Sequence, residues 1–93
     1  MANPDPNRAE SLLSFPCAFP LKIVGRRTDE FSQAIVDIVT RHAPDYDAAA
    51  TELRASSQGA YISITCTINA VSREQLDGLY RELSGDPRVL MVL

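Results

Sequence analysis

The chain has 93 residues, enough for one domain, with the 45% apolar and 23% charged residues of a soluble globular fold. Nine basic against twelve acidic residues leave a net charge of −3, which argues against a general nucleic-acid binder. No apolar run reaches the ~18–20 residues that span a bilayer, Met1–Ser14 lacks an export pattern, and two cysteines are too few for a metal cluster or disulfide framework.

Residues 1–11 read as a disordered N-terminal tail and 12–93 as a single domain. Pro4 and Pro6 block helix, and the polar residues around them bury nothing. Phe19–Val24 predicts the first strand, with Phe19, Leu21 and Ile23 on one face and Pro20 and Lys22 on the other. Pro20 lacks an N–H, so it requires the start of a strand or a locally unpaired side. Gly25 then permits a sharp turn. Thr28–Ala43 predicts a helix with Thr28 as N-cap and Asp29 and Glu30 at its positive dipole end. Phe31, Ile35, Ile38, Val39 and His42 recur at helical spacing, Asp37 and Arg41 form an i, i+4 pair, and Pro44 ends the helix.

Ala49–Ala55 favours helix by propensity. It is nevertheless assigned as an edge strand, because the next segment needs a hairpin partner. That segment, Tyr61–Ala70, alternates without a break: Ile62, Ile64, Cys66, Ile68 and Ala70 face one way, and Tyr61, Ser63, Thr65, Thr67 and Asn69 the other. A half-buried strand follows. Ser72–Leu83 predicts the second helix, opened by a Ser72/Gln75 capping box with Val71 stapled onto Leu76. Leu76, Leu79, Tyr80 and Leu83 form its apolar stripe, and Asp77 pairs with Arg81. Gly85 suits a left-handed C′ position, and Pro87 forbids continuation. Val89–Leu93 is the last strand.

The order strand, helix, strand, strand, helix, strand is the split βαβ pattern. The expected fold is α+β: a ferredoxin-like βαββαβ sandwich with a four-stranded antiparallel sheet, order 4-1-3-2, and both helices on one face. Fifteen or more apolar side chains at ~1.5–3 kcal/mol each suffice for its core. The uncovered face is expected to present Lys22, Tyr61, Ser63, Thr65 and Thr67, with Leu90 and Val92, as an interaction surface.

Few residues suggest chemistry. His42 stands alone, without the orienting partner a catalytic histidine needs, and reads as a helix C-cap. Cys66 is expected to be core and Cys17 has no electropositive setting, so neither reads as a reactive thiol. Gly25-Arg26-Arg27-Thr28 is the best ligand-binding candidate: two guanidinium groups precede a helix N-terminus, where a carboxylate or phosphate could dock. Asp29 and Glu30 oppose that reading, and no glycine-rich phosphate cradle follows. An RNA-stacking platform needs two or three aromatics on the central strands, and the uncovered face offers one tyrosine.

A resemblance adds to this. Leu12-Leu13, Phe15-Pro16, Phe19, Lys22 and Gly25 are followed by Arg41-His42-Ala43-Pro44 and by Ser56-Ser57, Gly59 and Tyr61. Thr67-Ile68-Asn69-Ala70, Gln75, Leu79-Tyr80, Glu82-Leu83 and Met91-Val92-Leu93 complete the pattern. Across about residues 11 to 93 the chain resembles the YbeD-like family of small bacterial proteins of unknown function. The longer N-terminal tail and the alanine-rich second strand depart from the family's pattern. The resemblance implies a fold similar to ACT-type regulatory domains, which bind amino acids near the loop after the first strand, here Val24–Thr28. Family genes often neighbour an octanoyl transferase of lipoate synthesis, which is association and not mechanism.

Three readings compete. The first is a cytoplasmic, non-enzymatic regulatory or ligand-sensing domain without metal or cofactor. The second is an adaptor or homodimer that pairs through the open face or through the apolar last strand. The third, a small enzyme, is disfavoured by the lone histidine and the missing cofactor motif. The expected partner is a small molecule or a protein, and neither a nucleic acid nor a membrane.

Overall fold

Alternation in the third strand organises the molecule. The computed structural model describes residues 14–93, so the predicted tail at 1–11 lies outside the described residues. Strand β1 covers Cys17–Arg26, helix α1 Phe31–His42, β2 Glu52–Ala55, β3 Tyr61–Ala70, α2 Arg73–Gly85 and β4 Val89–Val92. β3 matches its prediction at both ends. Ile64, Cys66, Ile68 and Ala70 point into the core, and Tyr61, Thr67 and Asn69 are exposed. β1 pairs antiparallel with it along its whole length, from Cys17 opposite Ala70 to Arg26 opposite Tyr61. The sheet order is β2-β3-β1-β4, the predicted order read from the other edge.

Both helices pack on the face that carries Leu21, Ile23, Ile64 and Cys66. Phe31, Ile35, Ile38 and Val39 from α1 and Leu76, Leu79 and Leu83 from α2 complete a core with no buried polar residue among the described ones. Pro20 sits mid-strand, and the ladder explains why it is tolerated. Lys22 exchanges both backbone bonds with Leu93, at 3.1 and 2.8 Å. Two residues earlier on the same edge, Pro20 has no partner among the described residues, so no ladder bond is lost.

Several local expectations are corrected. The Thr28 carbonyl accepts from the Phe31 N–H, so residues 28–31 form a turn, and Glu30 rather than Thr28 precedes the helix. Asp37 accepts from Gln33 at 2.8 Å instead of pairing with Arg41, and Asp77 pairs with Arg73 instead of Arg81. Ala48–Ala50 coil into a single 3-10 turn capped by Asp47, as alanine propensity favours, and only Glu52–Ala55 pairs with β3. The Ser72 cap forms at 3.1 Å, but Gln75 reaches back to the N–H of Val71, which stays 55% exposed rather than buried as a staple. Gly85 is the last helical residue, and the left-handed backbone among the described glycines is at Gly59 in the β2–β3 hairpin, where φ is 74°.

β4 contains the correction that matters most for function. Val92 lies opposite Ile23 and Met91 opposite Val24, but Gly25 lies opposite Val89, so the register slips by one residue at Leu90. Val89 and Val92 therefore both pack against the core, although they stand three apart. Val92 is not on the open face; Met91 is, and so is Leu93 through its pairing with Lys22.

Candidate functional site

The β1–α1 loop and the turn between α2 and β4 meet at one end of the sheet. Between them lies a cleft of about 210 Å³ lined by Arg26, Thr28, Pro87, Arg88 and Leu90. Arg88 is committed to Asp86: its Nε and a terminal nitrogen donate to the two carboxylate oxygens at 3.0 and 2.7 Å, and its backbone N–H donates at 2.8 Å. These bonds hold the Asp86 carboxyl below the usual carboxylate range. Arg26 makes no ion pair among the described residues, so it is the cleft's available cation.

The predicted loop site is thereby split. Arg26 and Thr28 line the cleft, but Arg27 turns away: its N–H bonds to the Ala60 carbonyl at 3.0 Å, and its guanidinium lies beside Gly59. Gly25 is buried in β1, and a Cβ there would collide with the Phe31 ring and lie 2.6 Å from the Arg88 carbonyl oxygen. Its glycine is required by packing. Pro87 and Arg88 carry no signal for this site in the sequence, and Leu90, expected on the open face, lines the cleft instead, because only the β1–β4 pairing brings them to the loop.

The open face holds Lys22, Ser63, Thr65 and the 43% exposed Tyr61, as expected. Leu90, the extra residue at the register slip, is 53% exposed and belongs to the cleft.

His42 does not cap its own helix. Its Nε2 lies 2.8 Å from Glu82 Oε1 on α2, and Arg41 binds the other carboxylate oxygen. Gln75 donates to the His42 carbonyl at 2.9 Å, so one side chain serves the end of α1 and the start of α2. Gly78 leaves room for the imidazole, which lies 3.4 Å from where a Cβ would stand. The cluster joins two helices. The His42 bond, and then the Arg41 bond, hold the Glu82 carboxyl below its ordinary value. Such a group adds stability above its unfolded pKa and loses it as pH falls through the folded one. Thermal melts of the wild type and Glu82→Gln should therefore differ at neutral pH and converge only in acid, as pH falls through the lowered folded pKa of Glu82. The difference is small, because the Glu82 side chain is 37% exposed. A gap that widens in acid would contradict the assignment.

Cys66 is fully buried and Cys17 half-buried, both as free thiols. Burial pushes the Cys66 thiol up. Burial, and then the Cys66 hydrogen bond, push the Tyr46 phenol up to about 12, and its hydroxyl also bonds Thr51. Among the described residues no cluster of three His, Cys, Asp or Glu could hold a metal ion, and no helix is long and apolar enough to cross a membrane.

The family described as "Protein of unknown function (DUF493)" matches residues 10–93. A UPF0250 protein of Nitrosomonas europaea is 50% identical over 84 residues, covering 90% of this chain and 97% of that one. A UPF0250 protein of a Janthinobacterium species is 46% identical over 93 residues, covering all of both chains. Another, from Bordetella pertussis, is 45% identical over 84 residues, covering 90% of this chain and 92% of its own. A small bacterial family of unknown function, as the resemblance implied, is borne out.

Proposed function

We propose that this chain, which belongs to the DUF493 family, is a non-enzymatic regulatory domain that senses a small carboxylate at the cleft between the β1–α1 loop and β4. The observation that carries the reading is the pairing of Arg26, a guanidinium without an internal carboxylate among the described residues, with the apolar wall of Pro87 and Leu90. A free guanidinium takes a carboxylate in two parallel bonds, and the wall shelters an apolar tail. Catalysis is no part of the proposal, since His42 and Glu82 are engaged in joining the helices. Likeness to ACT-type domains supports the reading by analogy, and the setting proposed with it is the cytoplasm. A connection to lipoate metabolism follows from the resemblance alone and places octanoate in the ligand panel.

The test is an NMR titration with amino acids and small carboxylates, octanoate included. Saturable shifts are expected at the amides of Arg26, Thr28 and Leu90, and they should vanish in Arg26→Ala. A flat response across the panel would sink the reading.

A second reading, a homodimer that pairs through the free edge of β4, is favoured by one observation. Leu90, Met91 and Leu93 are exposed on an edge strand without lysine or proline within Val89–Val92. Light scattering that reports a monomer at every concentration would retire it.

A further inference from the structure

The open face of the sheet gathers cations, although the chain as a whole is acidic. The chain's net charge is −3. Yet strand alternation brings Lys22 and Arg26 of β1 and Arg54 of β2 onto that face, against one strand carboxylate, Glu52. All three cations are exposed, and none of their charged groups joins an ion pair or a hydrogen bond among the described residues. Arg41, Arg73 and Arg88, by contrast, each hold a carboxylate.

Their spacing follows from the ladder. Lys22 and Arg26 stand about 13 Å apart along one strand, and Arg54 lies two strands away, about 10 Å, level with Ser63 and Val24. Along the Arg26–Arg54 side of this triangle a depression of about 110 Å³ opens beside Val24, Arg54, Tyr61 and Ser63. Met91, 51% exposed, flanks Val24 and adds an apolar margin.

We propose that this face docks an acidic amphipathic segment of a partner protein. Carboxylates of the segment face Lys22, Arg26 and Arg54, one apolar side chain fills the depression, and a second rests on Met91. Charge complementarity selects this occupant, because unpaired cations steer and register an acidic partner. A nucleic acid fits less well: the face has one aromatic for stacking among the described residues, and Met91 gives phosphates nothing.

Calorimetric and NMR titration of the full chain with a short alternating Glu-Leu peptide tests this, beside its Lys-Leu counterpart and an oligothymidine. The acidic peptide is expected to bind, less tightly as salt rises, with shifts centred on Val24, Arg54 and Ser63. The Lys22→Glu/Arg54→Glu double variant should weaken it roughly tenfold while the melting temperature and the carboxylate response at Thr28 stay unchanged. Lys22→Gln/Arg54→Gln should weaken it less. Arg26 is left intact because it borders the cleft. The proposal is overturned by no binding, by shifts confined to the cleft, by equal binding of the basic peptide, by tighter binding of the oligothymidine, or by a double variant that binds like the wild type.

Discussion

Gly25→Ala should lower stability by roughly 2–3 kcal/mol in urea unfolding, although it adds a single methyl group. The added Cβ would meet the Phe31 ring on one side and the Arg88 carbonyl on the other. The ring could yield by changing rotamer, but the carbonyl belongs to the chain that leads into β4 and cannot move without loosening that strand. Shortening the ring by Phe31→Leu removes one of the two collisions. The double variant should therefore be more stable than the sum of the two single losses implies. If Gly25→Ala stays within about 0.5 kcal/mol of the wild type, Gly25 is a free loop residue and the packing account fails.

Ile64→Ala and its neighbour Thr65→Ala should differ widely. Ile64 is fully buried at the centre of β3, between Ile23 and Leu53, and its truncation leaves a cavity under the helices. A loss of about 2–5 kcal/mol is expected. Thr65 points to the uncovered face, where truncation should change stability by no more than about 0.5 kcal/mol. Comparable losses at both positions would mean that the sheet is covered on both sides. That result would remove the surface on which Lys22, Arg26 and Arg54 gather.

The two faces were legible because Tyr61–Ala70 alternates for ten residues, and a period of two has one physical meaning. The helix at 73–85 was legible from Ser72, whose short side chain caps it as its chemistry requires. At Gly25 the local pattern points to the wrong cause. A glycine at the end of an apolar run suggests a turn, and nothing local reveals that a phenylalanine and a distant carbonyl press on it. Val92 was placed outward by the same alternation that succeeded in β3. It failed in β4 because the slip at Leu90 breaks the period, and a slip is set by the partner strand. The cleft was half legible, through Arg26 and Thr28, and its other wall was not.

By itself, the amino-acid order determined what depends on near neighbours along the chain: the elements, their inward and outward faces, the capped helix, and a sandwich with one bare side. Only the tertiary structure decided which charges find partners. Arg41 crosses to Glu82, Arg88 folds back on Asp86, and Lys22, Arg26 and Arg54 are left on one face without an ion pair among the described residues. A side chain's periodicity is a property of its own segment, whereas its ion partner depends on which strand or helix the fold sets beside it, and that choice is made across dozens of residues.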